Sequence, residues 1–113
     1  GWTAMEIEEA RRGTSLVVTP TGRLDSGSAP DFEARLGEDI DGGAHDVVID
    51  LSRLDYISSK GLSALLSAGK RMKRAEGRMV LAAASGAVRQ VIVISGFDRV
   101  FELHDSVDAA LGG

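Results

Sequence analysis

Two adjacent serines, Ser58 and Ser59, lie between a strongly apolar run and a helical repeat, where hydroxyl chemistry and a helix N-terminus meet. A serine at the start of a helix can accept a hydrogen bond from a free amide of the first turn. A phosphate attached there would face exposed N–H groups and the positive end of the helix dipole. Phosphorylation would add about −1.5 to −2 charge at pH 7, enough to switch an interface. Lys60 follows directly. A cation in the first turn opposes the dipole slightly, but it would pair with a phosphate on its neighbour. From the residues alone, a Ser-Ser pair before a helix reads as plain capping more often than as a regulatory site.

A nucleophile is the other chemistry such a serine can offer. Ser59 is placed on a strand-to-helix turn, but Ile57 stands where the elbow motif G-x-S-x-G needs glycine. His45 and His104 are the only candidate bases, and His104-Asp105 could complete a triad. A small serine hydrolase is therefore kept only as the alternative from another class, and no catalytic residue is assigned. Neither G-x-G-x-x-G nor G-x-x-x-x-G-K-S/T occurs, so no phosphate cradle and no cofactor are expected. With no cysteine and only 2 histidines, the chain offers no convincing metal site.

Positioning the serines requires a strand before them and a helix after them. Val47-Val48-Ile49 is a β-branched run, read as a strand over 46–51 that is buried on both faces. Leu62, Leu65, Leu66, Gly69 and Met72 recur at helical spacing, predicting a helix that runs to about Ala75 and stops at Gly77. Around this unit, 6–10 and 15–21 read as strands of an antiparallel hairpin turned at 12–14. Residues 22–27 read as a loop. Ser28 is expected to cap a helix with Pro30 in its first turn and Phe32, Leu36 and Ile40 on one face, ended by Gly42-Gly43. A strand over 78–83 follows, then a helix presenting Val88, Val91 and Ile92 and ending near Ser95-Gly96. A short strand over 100–103 and a helical turn over 106–111 close the chain. Crossover helices imply parallel pairing of the later strands and place those helices on one side of the sheet. The fold class is thus α/β: a mixed four- to five-stranded sheet with helices mainly on one face.

The 113 residues suit one domain over 5–111, with 112–113 as a tail. Residues 1–4, which precede Met5, read as an expression remnant, so Trp2 is given no role. Hydrophobic residues make up 43% and aromatics only 4%, so the core must be aliphatic. The 13 basic and 17 acidic residues give a net charge of −4, which argues against direct nucleic-acid binding through phosphate neutralisation. A protein partner is the expectation. No apolar run reaches the ~18 residues of a membrane span, and no secretory signal pattern opens the chain, which makes the cytoplasm the expected compartment.

The order of segments, with Asp50-Leu51-Ser52 and Tyr56-Ile57-Ser58-Ser59-Lys60-Gly61-Leu62, resembles the STAS domain of bacterial anti-sigma factor antagonists. Gly22-Arg23-Leu24-Asp25 fits that family's Gly-x-Leu-Asp, and Ser95-Gly96-Phe97 fits its Ser-Gly-hydrophobic signature. The resemblance implies a non-enzymatic protein that binds an anti-sigma factor, itself a serine kinase, and so frees a sigma factor. It further implies inactivation by phosphorylation of the serine two positions before the glycine of the second helix, and reversal by a serine phosphatase. With Gly61 as that glycine the spacing makes the target Ser59; Ser58, a second hydroxyl one residue before it where many relatives carry Asp, is the second choice. The implied partner-binding residues are Asp25, Ser26, Ser58, Ser59, Lys60, Gly61 and Leu62, in a protein that is a monomer or weak dimer. The alternative within the fold is a non-switching STAS subunit of a bacterial lipid-transport or sensory complex.

Three features keep two readings each. Asp25, with Ser26 and Ser28, belongs either to turn chemistry or to the loop beside the phosphorylation site. The unbroken run from Val91 to Ile94 is read first as a deeply buried helix and second as an exposed contact. Lys70, Arg71, Lys73 and Arg74 are read first as a solvated face that complements the helix dipole and second as a contact for an anionic surface.

Overall fold

The computed structural model describes residues 5–112. The expected remnant at residues 1–4, Trp2 included, lies outside them, as does Gly113. Strands β1 (Met5–Arg12) and β2 (Ser15–Leu24) form the expected antiparallel hairpin, in register from Met5 with Gly22 to Arg12 with Ser15. Then follow α1 (Ala29–Asp41), β3 (Asp46–Asp50), β4 (Leu54–Ile57), α2 (Ser59–Arg74) and β5 (Arg78–Ala82). α3 (Gly86–Ile94), β6 (Leu103–His104) and α4 (Val107–Gly112) complete the chain. The sheet has six strands in the order β1-β2-β3-β5-β6, with β4 paired to β2, and every pairing after the hairpin is parallel. No helix among the described residues is long and apolar enough to cross a membrane.

The sixth strand corrects the expected count of four to five. The sequence pattern assigns no element to Leu54–Ile57, and this segment is a strand because β2 is long enough to serve two partners in succession. Residues 16–18 of β2 pair with β3, and residues 22–24 pair with β4. Pro20, which has no N–H to give a ladder, falls in the gap between the two registers. The last strand is also displaced from 100–103. Residues Phe97–Arg99 form a 3-10 turn, and the amides of Val100 and Phe101 both close onto the Phe97 carbonyl, at 3.0 and 2.8 Å. Pairing with β5 therefore starts only at Leu103. At the end of the chain, Gly112 belongs to α4 rather than to a tail.

Period-two alternation sorts the core into two faces. Val18, Val47, Ile49 and Leu81 point to the main core with α1, α2 and α3, whereas Val17, Val48, Val80 and Ala82 meet α4 through Ala110. Three helices thus share one face, as expected, and the C-terminal helix covers part of the other. On α1, Phe32, Leu36 and Ile40 are buried as the spacing predicts. On α2 the buried stripe is Gly61, Ala64, Leu65, Ala68 and Met72, leaving Leu62 and Leu66 half-buried. The stripe is turned toward the small residues because they let the helix backbone approach the sheet and α1. On α3 only Val88 and Ile92 are buried; Val93 and Ile94 are 43% and 85% exposed, which overturns the deeply buried reading of that run.

Candidate functional site

Strands β2 and β4 run parallel and end side by side, with Arg23 opposite Tyr56 and Leu24 opposite Ile57. The residues that follow, Asp25 and Ser58, therefore leave the sheet together at the carboxyl ends of the strands. The Ser58 amide donates to the Leu24 carbonyl at 2.9 Å, extending the ladder by one bond. Gly61 completes the approach. A Cβ there would sit 2.6 Å from the Leu24 carbonyl oxygen and 2.9 Å from both Ile57 Cγ1 and Leu24 Cγ. Any larger residue would hold the first turn of α2 away from the Asp25 loop.

The two serines have different work. Ser58 is the N-cap, in an extended conformation, and its hydroxyl accepts the Gly61 amide at 3.2 Å. Its carbonyl takes the Leu62 amide at 2.9 Å. Ser59 is the first helical residue; it is exposed, and among the described residues its hydroxyl has no hydrogen-bond partner. The Ser59 and Lys60 amides remain as open donors of the first turn. No acidic residue lies in that turn, and the Lys60 side chain is exposed beside it. An anion on Ser59 would meet two amides and an ammonium on a favourable dipole.

Facing this turn is a loop that Asp25 builds. Its Oδ1 accepts the amides of Gly27 and Ser28 at 3.0 and 3.1 Å. The Ser28 amide foremost, and Gly27 with it, holds the Asp25 carboxyl below the usual carboxylate range. Ser28 occupies the N-cap position of α1, yet its hydroxyl does not cap the helix as expected. It donates back to the Arg23 carbonyl at 2.7 Å and accepts the Asp25 amide at 3.0 Å. The helix instead starts with the Ala29 amide bonded to the Asp25 carbonyl at 2.8 Å. Turn chemistry thus accounts for Asp25 and Ser28, and it leaves Ser26 exposed at the tip.

Sequence reasoning missed the partner pair beneath these loops. The Arg23 guanidinium lies 4.1 Å from the centroid of the Tyr56 ring and 3.6 Å from Asp25. Tyr56 is 40% exposed. The signal was present as Leu54 and Ile57 bracketing two outward residues, but without β4 there was no reason to place Tyr56 opposite Arg23. The structure thus brings Asp25, Ser26, Ser58, Ser59, Lys60, Gly61 and Leu62 into one neighbourhood. It does not bring in the remaining members of a triad. His104 sits on edge strand β6 with Nε2 3.2 Å from Glu102, and neither it nor Asp105 bonds to Ser59. Among the described residues no group of three His, Asp or Glu side chains could hold a metal ion.

Residues 5–110 match the STAS domain family. The chain is 40% identical over 95 residues to BtrV of Bordetella bronchiseptica, described as a candidate anti-sigma factor antagonist, covering 84% of this chain and 82% of that protein. It is 29% identical over 97 residues to RsfB of Mycobacterium tuberculosis, an anti-sigma-F factor antagonist, covering 86% and 79%. Among solved structures, an anti-sigma factor antagonist from Mycobacterium paratuberculosis superposes with a TM-score of 0.88 at 27% identity, over 96% of this chain and 92% of that one. Phosphorylated SpoIIAA of Bacillus shares the fold, with a TM-score of 0.71 at 23% identity over 96% and 97% of the two chains.

Proposed function

Because the chain belongs to the STAS domain family and is related to anti-sigma factor antagonists, we propose that it binds a cognate anti-sigma factor that is also a serine kinase, releasing a sigma factor. The protein is a regulator, not an enzyme. The kinase transfers the γ-phosphoryl group of its own ATP to Ser59 Oγ, leaving ADP, and a separate serine phosphatase removes it by hydrolysis. Such a protein works in the cytoplasm and has no need to touch nucleic acid.

One observation carries the choice of residue: Ser58 is committed to capping α2, whereas the Ser59 hydroxyl is exposed and unengaged. The docking surface is formed by the first turn of α2 and the Asp25–Ser28 loop, which Gly61 allows to meet. Phosphate on Ser59 switches this surface by charge and bulk, not by refolding. It adds about −1.5 to −2 charge to a surface that must desolvate against the kinase. A penalty of about 2.8 kcal/mol corresponds to a hundredfold loss of affinity. Lys60 and the open amides stabilise the modified form without restoring the interface.

The test is incubation with ATP and the cognate kinase, followed by peptide mass spectrometry. One phosphate on Ser59, absent from Ser59→Ala and retained by Ser58→Ala, supports the reading. Tight association with another assembly and no phosphate from any kinase would favour a fixed STAS subunit instead.

A further inference from the structure

Parallel strands give this molecule two ends, and the end away from Ser59 carries a groove of its own. There, the C-terminal half of α2, the start of β5 and the segment entering β6 enclose about 460 Å³, open along one side. The floor is apolar. Leu66, Met72 and Met79 line it, and the edge of the Phe101 ring reaches α2 because position 69 is glycine: a Cβ there would fall 2.7 Å from Phe101 Cε1 and Cζ. Val100, 59% exposed, forms the lip.

The rim is cationic on the α2 side. Lys70 and Lys73, one helical turn apart, make no ion pair among the described residues. The other charges of the groove are already matched. Arg78 bonds Asp46 at 3.2 Å and Glu102 at 3.5 Å, and Glu102 is also met by His104 at 3.2 Å. In a chain of net charge −4, this is a local excess of positive charge over an apolar floor. We propose that this groove docks an acidic segment of a partner protein, with an apolar side chain seated over Phe101 and carboxylates on Lys70 and Lys73. An open groove suits a peptide better than a small molecule, which pockets usually bury almost completely. Docking here leaves the Ser59 surface free and does not depend on the function proposed for it.

The experiment is a backbone and methyl NMR titration of the full chain with a probe peptide of Glu and Leu in helical alternation, at physiological ionic strength. Its Glu→Lys counterpart and decanoate serve as comparison probes. Shifts confined to 66–79 and 100–102, with affinity at least roughly tenfold weaker for Lys70→Glu/Lys73→Glu and for Val100→Asp, bear the proposal out. Both variants alter exposed side chains, and native spectra away from the groove verify their fold. Shifts centred on 25–28 and 58–62, equal affinity for the Lys peptide or for both variants, or response to decanoate alone would overturn it.

Discussion

Gly61 lies so close to Leu24 that a Cβ would sit 2.6 Å from its carbonyl oxygen. This contact fixes how near the first turn of α2 comes to the Asp25 loop, so the proposed docking surface depends on an absent side chain. Gly61→Ala should push the helix off β2 and cost about 1–3 kcal/mol. Urea denaturation checks the stability, and loss of kinase binding in the folded fraction checks the geometry.

Ser58 and Ser59 should separate cleanly by stability. Ser58→Ala removes the hydroxyl that accepts the Gly61 amide, and it should cost about 1 kcal/mol. Ser59→Ala removes an exposed hydroxyl that has no partner among the described residues, and it should stay within about 0.5 kcal/mol of the parent. Parallel thermal melts decide this, and equal losses would mean that the capping assignment is wrong.

Much of this arrangement was legible in the chain because it is written in short-range chemistry. β-branched runs, Pro30, the Gly42-Gly43 stop and the Ser-Ser pair each act on neighbouring residues, and the elements they mark are where they were expected. What escaped depended on long-range pairing. β4 is a strand only because β2 continues past Pro20, and Arg23 meets Tyr56 only through that register. Ser28 has the residue type and position of a cap, but its hydroxyl is claimed by the Arg23 carbonyl at 2.7 Å. The exposure of Ile94 was illegible for another reason, since an apolar run does not record which face has a neighbour.

Stability should depend on pH through a carboxyl pair far from the serines. Glu9 Oε2 and Asp39 Oδ2 are both buried and, among the described residues, without a hydrogen-bond partner, while Glu9 Oε1 takes Arg35 at 3.0 Å. Burial first, and then the neighbouring Glu9, push the Asp39 carboxyl from 3.8 up to about 7. The folded state thus holds a proton that the unfolded chain has released, and stability falls as pH rises from 3.8 through about 7. Asp39→Asn removes the charge and supplies an N–H that Glu9 can accept, so it should flatten this slope and be the more stable protein at about pH 8. Urea midpoints at about pH 5 and about pH 8 give the comparison.

Asp25 works with the opposite sign. Its carboxyl is held low by the Ser28 amide, so its contribution is complete above 3.8 and is lost as pH falls through its lower folded value. Asp25→Asn should remove that acid-side loss and loosen the loop. Faster amide exchange at Gly27 and Ser28 is the readout.

In the proposed switch, charge on Ser59 closes the docking surface while Ser58 only caps the helix. Calorimetric titration of the parent, Ser59→Ala and Ser59→Glu proteins into the cognate anti-sigma factor kinase tests it most directly. Parent-like affinity is expected for Ser59→Ala, and affinity lower by about a hundredfold, or about 2.8 kcal/mol, for Ser59→Glu. Equal affinity of all three, or Ser59→Ala binding as weakly as Ser59→Glu, would contradict it.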